Sequence, residues 1–498
     1  MELNFFLETN VLELIRHFLT IILIVAYYLI IIITVIFIIL ENRHPAKTFS
    51  WILVISLIPV VGFLLYIFFG RNLRKHKLLD QKKQIGFHRI NPDYYDRIFD
   101  NRYLDTISEE AIKDKHNVIQ YLINHSRSAL TRHNHVHILQ NGEVAFFDIL
   151  KTLRKAKHHI HMEYYIIEED KIGNQIKKIL MQKARQGVEV RLIYDHVGSW
   201  KLSRSFKKEL ADAGVVLYPF MPVRFPLPTS NINYRNHRKI IIVDGKTGFM
   251  GGLNIADRYV NEKKRKDKMY WRDTHIRIEG EAVKSLQLVF LNDWIYTSRR
   301  PVHLESSYFP DYLPHKKTWI QIISSGPDSE SEFIMEAFFI AISRARKKIS
   351  ICTPYFIPNE SLLTALKTAS LGGTEVNLLL PYRSDNRLIQ YSSMSFFEEL
   401  LKAGINVFLY KKGFIHSKIL LVDNVFASVG SANFDFRSFE QNLEVTAIIY
   451  DEEICRKLED SFAEDMRSSE VVKLEDWQNR RFINKIRESV LRMFAPLF

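Results

Sequence analysis

The chain opens on two apolar runs. Phe18 to Leu40 carries no charge and is rich in Ile and Leu, which is enough to cross a bilayer. Its apolar core is too long for a cleaved signal peptide, and no small-residue cleavage site follows. A polar loop, Glu41 to Ser50, leads to a second run, Trp51 to Phe69, in which Pro59 and Gly62 are placed to kink a helix. The pattern predicts a transmembrane hairpin over 1–77, with helices at about 18–40 and 50–69; a re-entrant second segment is the alternative. Arg71, Arg74, Lys75 and Lys77 follow directly. A hairpin returns the chain to the side of residues 1–17, and the basic cluster assigns that side to the cytoplasm. The expectation is a multi-pass protein of the cell membrane with its remaining domains cytoplasmic.

Residues 78–125 are polar and charged and read as a linker with lead-in helices. From 126 the pattern alternates. Strands are expected at Val136–Leu139, Ile160–Ile167, Val188–Tyr194 and Val215–Tyr218, with helices at Ala145–Leu153, Gln175–Arg185 and Leu202–Ala213. A second half repeats the order. Its strands are Trp319–Ile323, Ile349–Phe356, Val376–Leu380 and Val407–Tyr410, and its helices Glu332–Arg346, Ser361–Ser370 and Phe396–Ala403. Local likeness supports a duplication: Leu210 to Gly214 beside Leu400 to Gly404, and Gly187-Val-Glu-Val190 beside Gly373-Thr-Glu-Val376. The fold class is α/β, two tandem α/β/α repeats over 126–300 and 319–475 forming one pseudo-symmetric unit, joined by a connector at 301–318. The end, 476–498, sets Phe482, Ile483, Ile486, Val490, Leu491 and Phe494 against Arg480, Arg481, Lys485, Arg487 and Arg492. It reads as a basic amphipathic helix, lying on the cytoplasmic leaflet or docked on the core.

Composition adds a charge. The 498 residues carry 69 Lys and Arg against 56 Asp and Glu, a net charge of +13, which suits an anionic partner such as nucleic acid, a phospholipid surface or a phosphate-bearing substrate. Two distant cysteines, Cys352 and Cys455, make neither a disulfide framework nor a zinc pattern. The charged insert near 263–268 and the pair Lys411-Lys412 read either as attractors of anionic head groups or as solvated loops. Phe220 to Pro228 reads as a loop that dips into the interface or simply packs.

Candidate chemistry sits in a doubled motif. His237-Arg-Lys239 followed by four residues and Asp244 recurs as His416-Ser-Lys418 and Asp423. After each Asp come six residues and then a glycine, in Gly251-Gly-Leu-Asn254 and in Gly430-Ser431-Ala-Asn433. The apolar run inside each copy reads as a buried strand, so His and Lys share one face. Asp273 lies 19 residues past Asn254 and Glu444 lies 11 past Asn433; removing the eight-residue charged insert 261–268 brings these acids into register. His133, His135 and His137 alternate on a strand-like run, and a polar strand edge is preferred there to a metal site.

These motifs resemble the phospholipase D superfamily. The likeness narrows to bacterial cardiolipin synthases through Arg43-x-Pro45-x-Lys47-Thr48, Tyr234-Arg-Asn-His-Arg-Lys239, Tyr270-Trp-Arg-Asp-Thr-His275, Ser324-Ser-Gly-Pro327 and Pro354-Tyr-Phe-Ile-Pro358. It covers essentially the whole chain, and nothing in the motifs departs from the family pattern apart from Gly252, where the second copy has Ser431. The resemblance implies that His237 attacks phosphorus to form a phosphatidyl-histidine, and that His416 protonates the departing alcohol and deprotonates the incoming one. Asp273 and Glu444 then hold the imidazoles, with Asp244 and Asp423 structural near the strand ends. Lys239, Lys418, Asn254, Asn433 and Ser431 face the phosphate. No metal or cofactor is required, because lysines relieve the charge and histidines move the proton. The implied reaction joins two molecules of phosphatidylglycerol into cardiolipin and releases glycerol, with anionic membrane lipids as partners and no nucleic acid. A membrane-tethered phosphodiesterase or nuclease of the same superfamily is the alternative.

Overall fold

The computed structural model describes residues 2–41, 45–66, 98–99, 114–223, 234–261 and 269–495. The basic cluster 71–77, most of the 78–125 lead-in, residues 224–228 and nearly all of the charged insert lie outside the described residues.

Helix α1 (Glu2–Glu41) contains one stretch long and apolar enough to cross a membrane, Glu13–Leu40. The second helix departs from the expected 50–69. It begins earlier and breaks, giving α2 (Pro45–Leu57) and α3 (Pro59–Leu65). The break sits at Ile58, whose φ of −138° and ψ of 71° leave the helical region, and Pro59 has no N–H to continue the ladder. The two pieces fold back on each other. Trp51 and Tyr66 pack edge to face at 5.5 Å between centroids, whereas a straight helix would hold residues fifteen apart about 22 Å from each other. Gly62 makes the close approach possible, since a Cβ there would come within 2.8 Å of the Val54 carbonyl oxygen. Trp51, Ile55 and Tyr66 bury themselves with Ile38 of α1.

After α4 (His116–Ser126) the first lobe is built from β1 (Asn134–Gln140), α5 (Asn141–Arg154), β2 (His159–Tyr164), α6 (Lys171–Arg185), β3 (Glu189–Asp195), α7 (Arg204–Asp212), β4 (Val216–Phe220), β5 (Lys239–Val243), β6 (Thr247–Gly251), β7 (Tyr270–Arg272), β8 (Thr274–Gly280) and α8 (Ala282–Ser298). The second comprises β9 (Trp319–Ser325), α9 (Phe333–Ser343), β10 (Lys348–Cys352), β11 (Phe356–Ile357), α10 (Glu360–Leu371), β12 (Glu375–Pro381), α11 (Arg387–Met394), α12 (Phe397–Lys402), β13 (Asn406–Tyr410), β14 (Gly413–Ile415), β15 (Ile419–Val422), β16 (Phe426–Gly430), β17 (Phe434–Asp435), α13 (Phe436–Glu440), β18 (Glu444–Tyr450), α14 (Glu452–Arg467), β19 (Ser469–Val471), α15 (Leu474–Gln478) and α16 (Phe482–Met493). The run expected as one strand over 349–356 divides at Thr353-Pro354, because proline cannot donate to the sheet.

The sheets repeat each other strand for strand. The first runs β1-β8-β6-β5-β2-β3-β4; the second runs β9-β18-β16-β15-β10-β12-β13, with β19 added at its edge. Parallel pairs β2–β3 and β3–β4 are crossed over by α6 and α7, which start on side-chain caps from Asp170 and Ser203. Ile172, Ile176, Ile179 and Leu180 of α6 pack on the outer face of the first sheet. One apolar core then runs through both lobes. It joins Ile240, Met250 and Ile276 of the first sheet to Leu421, Val429 and Val445 of the second, with α8 and α14 between them. This shared core sets the two central strands, β5 and β15, against a common seam. Helix α4, although ahead of the first lobe in sequence, packs Val118, Ile119 and Leu122 into the second.

Candidate active site

At that seam the lobes exchange short strands. β7 pairs in parallel with β14, matching Tyr270 with Gly413 and Arg272 with Ile415. A second bridge joins Asn236 to Leu443. The exchange brings the two motif histidines together, each just ahead of its central strand. The His237 N–H donates to the Leu443 carbonyl at 3.0 Å and the His416 N–H to the Arg272 carbonyl at 2.7 Å.

The supporting acids are crossed. Nδ1 of His237 donates to Glu444, at 2.9 and 3.1 Å from its two oxygens. Nδ1 of His416 donates to Oδ2 of Asp273 at 2.8 Å. Each imidazole is therefore held by a carboxylate of the other lobe, both acids are fully buried, and each Nε2 remains to meet a substrate. Lys239 and Lys418 are buried as well. Each ammonium donates at 2.5 Å to the carbonyl of the histidine two residues before it, which locks His and Lys onto one face as the strand period requires.

Burial with two buried ammonium groups dominates the electrostatics. Loss of solvent, opposed by Glu444 and reinforced by Lys239, brings His237 down to about 4. His416 is pushed well below its usual value by burial, then by Lys418, Lys239 and His237, so all four cationic groups act on one another. Burial brings Lys239 to about 7 and Lys418 to about 8. Burial raises Asp273 to about 6 against the pull of Lys418. Burial also pushes Glu444 upward, but His237, Lys239 and the Ser431 hydroxyl outweigh it and hold that carboxyl below its usual range. These shifts describe a site with more buried cationic groups than its two carboxyls balance, the setting in which an added anion is favoured.

The remaining expected residues fall in three groups. Asp244 and Asp423 stand at the far ends of β5 and β15, not beside the imidazoles. Asp244 accepts the backbone N–H groups of Lys157, His158 and His159; Asp423 accepts those of Arg346, Lys347 and Lys348 and the Lys115 ammonium. Both adopt φ near +54°, a turn conformation that Asp tolerates, and each ties its strand to the one beside it. Asn254 and Asn433 are buried at the seam side of β6 and β16. Asn254 donates to the Tyr259 hydroxyl at 2.6 Å, while Asn433 Oδ1 is buried without a partner. Ser431 is turned to Glu444 rather than outward. Its counterpart Gly252 is explained by the shorter acid, because a Cβ there would lie 2.1 Å from Asp273 Oδ1.

Sequence reasoning did not reach the aromatic walls. Tyr165 packs on His237 at 4.9 Å and lies under the Lys239 ammonium at 5.5 Å. Trp271 and Phe414 flank His416 at 5.3 and 5.7 Å. Nor did it find the buried pairs that brace the loop before His237: Arg235 with Asp195, Asn236 with Glu163, and Arg238 with Asp293. The one available signal was position, since Tyr165 directly follows the last residue of β2. Among the described residues, the three-ligand group that can be drawn is His135, His137 and Glu279. It lies on β1 and β8, at the edge of the first sheet and away from β5, and Arg277 competes for Glu279 at 3.7 Å.

Comparison with known proteins agrees with this geometry. The family profile described as cardiolipin synthase, PLD-like domain, matches residues 149–294 and 338–466. That described as phospholipase D-nuclease N-terminal matches 29–71. Cardiolipin synthase 2 of Bacillus anthracis is 44% identical over 475 residues, 92% of this chain and 88% of that protein. The cardiolipin synthase of Halalkalibacterium halodurans is 43% identical over 470 residues, covering 93% and 91%. The major cardiolipin synthase of Bacillus subtilis is 40% identical over 460 residues, covering 92% and 95%. Phosphatidylserine synthase of Haemophilus influenzae shares the fold, with a TM-score of 0.56 at 16% identity over 76% of this chain and 97% of that one. With two sheets of one topology, a histidine and lysine from each at a shared seam, and an apolar helix ahead of them that marks a membrane protein, the chain belongs to the cardiolipin synthase family of phospholipase D-like phosphatidyltransferases.

Proposed function

We propose that the chain transfers a phosphatidyl group from one phosphatidylglycerol to a second, forming cardiolipin and releasing glycerol. The observation that carries this reading is the crossed pair of imidazole–carboxylate bonds, which points two Nε2 atoms of opposite duty at one seam. Nε2 of His237 attacks phosphorus, the bond to the glycerol oxygen breaks, and His416, charged once the phosphate anion offsets Lys418 and Lys239 beside it, gives its Nε2 proton to that oxygen. The terminal hydroxyl of the second phosphatidylglycerol then returns a proton to His416 as its oxygen attacks phosphorus and releases His237. Glu444 is the acid held ionised, which suits it to support the imidazolium of a phosphatidyl-histidine and favours His237 as nucleophile. Lys239 and Lys418 neutralise the non-bridging oxygens, with Asn254 and Asn433 as neutral donors. Asp244 and Asp423 act through the strands they anchor, and Ser431 acts by steadying Glu444. The lobes lie on the cytoplasmic side, on the strength of the basic residues that follow the apolar runs.

The experiment supplies purified protein with phosphatidylglycerol vesicles and follows glycerol release and lipid mass. Equimolar glycerol and cardiolipin are expected. Phosphatidic acid as the sole lipid product would make the chain a hydrolase, and cleavage of DNA would make it a tethered nuclease.

A further inference from the structure

The N-terminal elements and the last helix make one surface. The α2–α3 pair folds back alongside the C-terminal half of α1 through Ile38, with Ile31 packed against the same cluster. At 13 residues α2 is about 20 Å long, too short to cross a hydrocarbon core of about 30 Å, and α3 brings Tyr66 back to the level of Trp51 instead of carrying the chain across. The bend nevertheless exposes Leu57, Ile58, Val60 and Val61, each at least half exposed.

Helix α16 is docked inside out. Its buried residue is Glu488, 3% exposed, which receives Arg480 at 2.7 and 3.0 Å. Arg492 reaches back to Glu399 at 2.5 Å and lies over the Phe396 ring. Phe482, Ile483, Ile486, Val490 and Met493 face outward at 43–76% exposure. Turning the helix over to hide them would break these ion pairs and strand Glu488 in the open. The outward face is continuous with the folded pair, because the Ser50 hydroxyl donates to the Met493 carbonyl at 2.6 Å. A ridge of apolar residues that a soluble protein would bury thus begins where α2 begins and runs along α16, with exposed Arg481 and Arg487 at its polar edge.

From this arrangement we infer that α1 alone crosses the membrane, that α2–α3 is a re-entrant wedge, and that α16 lies in the interface of the same leaflet. Both catalytic lobes then stand on the side where α1 ends, and the residues before α1's apolar stretch stand on the other. The occupant of the exposed ridge is the lipid leaflet itself: the re-entrant bend reaches acyl chains, the α16 face sits at the boundary with the head groups, and its arginines meet anionic phosphates. The charges agree. Arg16 is the one Lys or Arg ahead of the uncharged run Phe18 to Leu40, while Arg43 and Lys47 follow it.

Single cysteines decide the topology, since Cys352 and Cys455 are buried. Thr9→Cys and Asp212→Cys are placed separately in the full chain and treated in intact cells with a membrane-impermeant maleimide, before and after lysis. Labelling of position 9 from outside, and of position 212 only on lysis, is expected. Labelling of both only on lysis, or of both from outside, means an even number of crossings and overturns the inference. The reverse pattern, 212 outside and 9 inside, keeps the single crossing and overturns the cytoplasmic placement instead. Spin labels at Val61→Cys and Ile486→Cys in vesicles are expected to collide with dissolved oxygen far more than with a water-soluble nickel complex, 61 lying deeper than 486. A label at 486 as open to nickel as one at 212 would remove α16 from the membrane.

Discussion

Glu444 and Asp273 do different electrostatic work although they stand in equivalent places. One is held ionised and the other is raised to about 6. Glu444→Gln keeps the shape of the Nδ1 contact but removes the charge that stabilises an imidazolium. It is expected to lower kcat by about 10²- to 10⁴-fold with little change in KM, measured as cardiolipin formed per minute over a range of phosphatidylglycerol. The lysines make a second test. Their pKa values are depressed to about 7 and 8, so the charged form that attracts phosphate is complete only well below pH 7 and is lost as pH rises through 7 and then 8. A bound phosphodiester restores that charge. Binding of a short-chain phosphatidylglycerol to the His237→Ala chain at pH 7.5 should therefore take up a proton, read by calorimetry as a heat that depends on the buffer's ionisation enthalpy, and affinity should fall as pH rises from about 7 through 8. The motif residues were legible from their doubled spacing, and Asp273 and Glu444 from the insert that separates their offsets. Which histidine each acid holds was not legible, because a spacing along the chain says nothing of which lobe's strand end comes to lie opposite.

The short strands β7 and β14 hold the seam, backed by Arg272. Its guanidinium donates to Asp465 of α14 at 2.9 and 3.0 Å and to the Ser461 hydroxyl, deep between the lobes. Arg272→Ala leaves a carboxylate buried without its partner and is expected to cost about 3–5 kcal/mol, seen as a lowered thermal midpoint in detergent, with activity falling together with the fold. Elements of this kind escaped the sequence for definite reasons. Three residues are too few to show a period. Helix α8 is buried on nearly every side, so Ala282 to Trp294 carries no polar stripe to mark it. The break at Ile58 was half visible: Pro59 and Gly62 announced a kink, but the pairing of Trp51 with Tyr66 that turns a kink into a fold-back is a tertiary contact. The long strands β3 and β12 were read from their apolar runs because both faces are largely covered.

Across the whole molecule, both imidazoles come from one chain, and neither lobe has a complete site. Mixing His237→Ala chains with His416→Ala chains is expected to restore no cardiolipin synthesis; recovery of about a quarter of the wild-type rate, the statistical share of intact sites, would mean that sites form between chains. The pseudo-symmetry was legible in the repeated order of strands and helices, whereas the core that fuses the lobes was not, since its members are spread from Phe99 to Phe462.

The exchanged carboxylates carry a historical consequence. An arrangement in which each half lends its acid to the other is what two identical half-length proteins would make across a two-fold axis, and joining them end to end needs no new chemistry. Fusion does permit the halves to differ, and Gly252 with a short acid beside Ser431 with a long one is the mark such freedom leaves. Once made, that divergence is hard to undo: a gene cut back to either half would encode a base without its tether and a tether without its base.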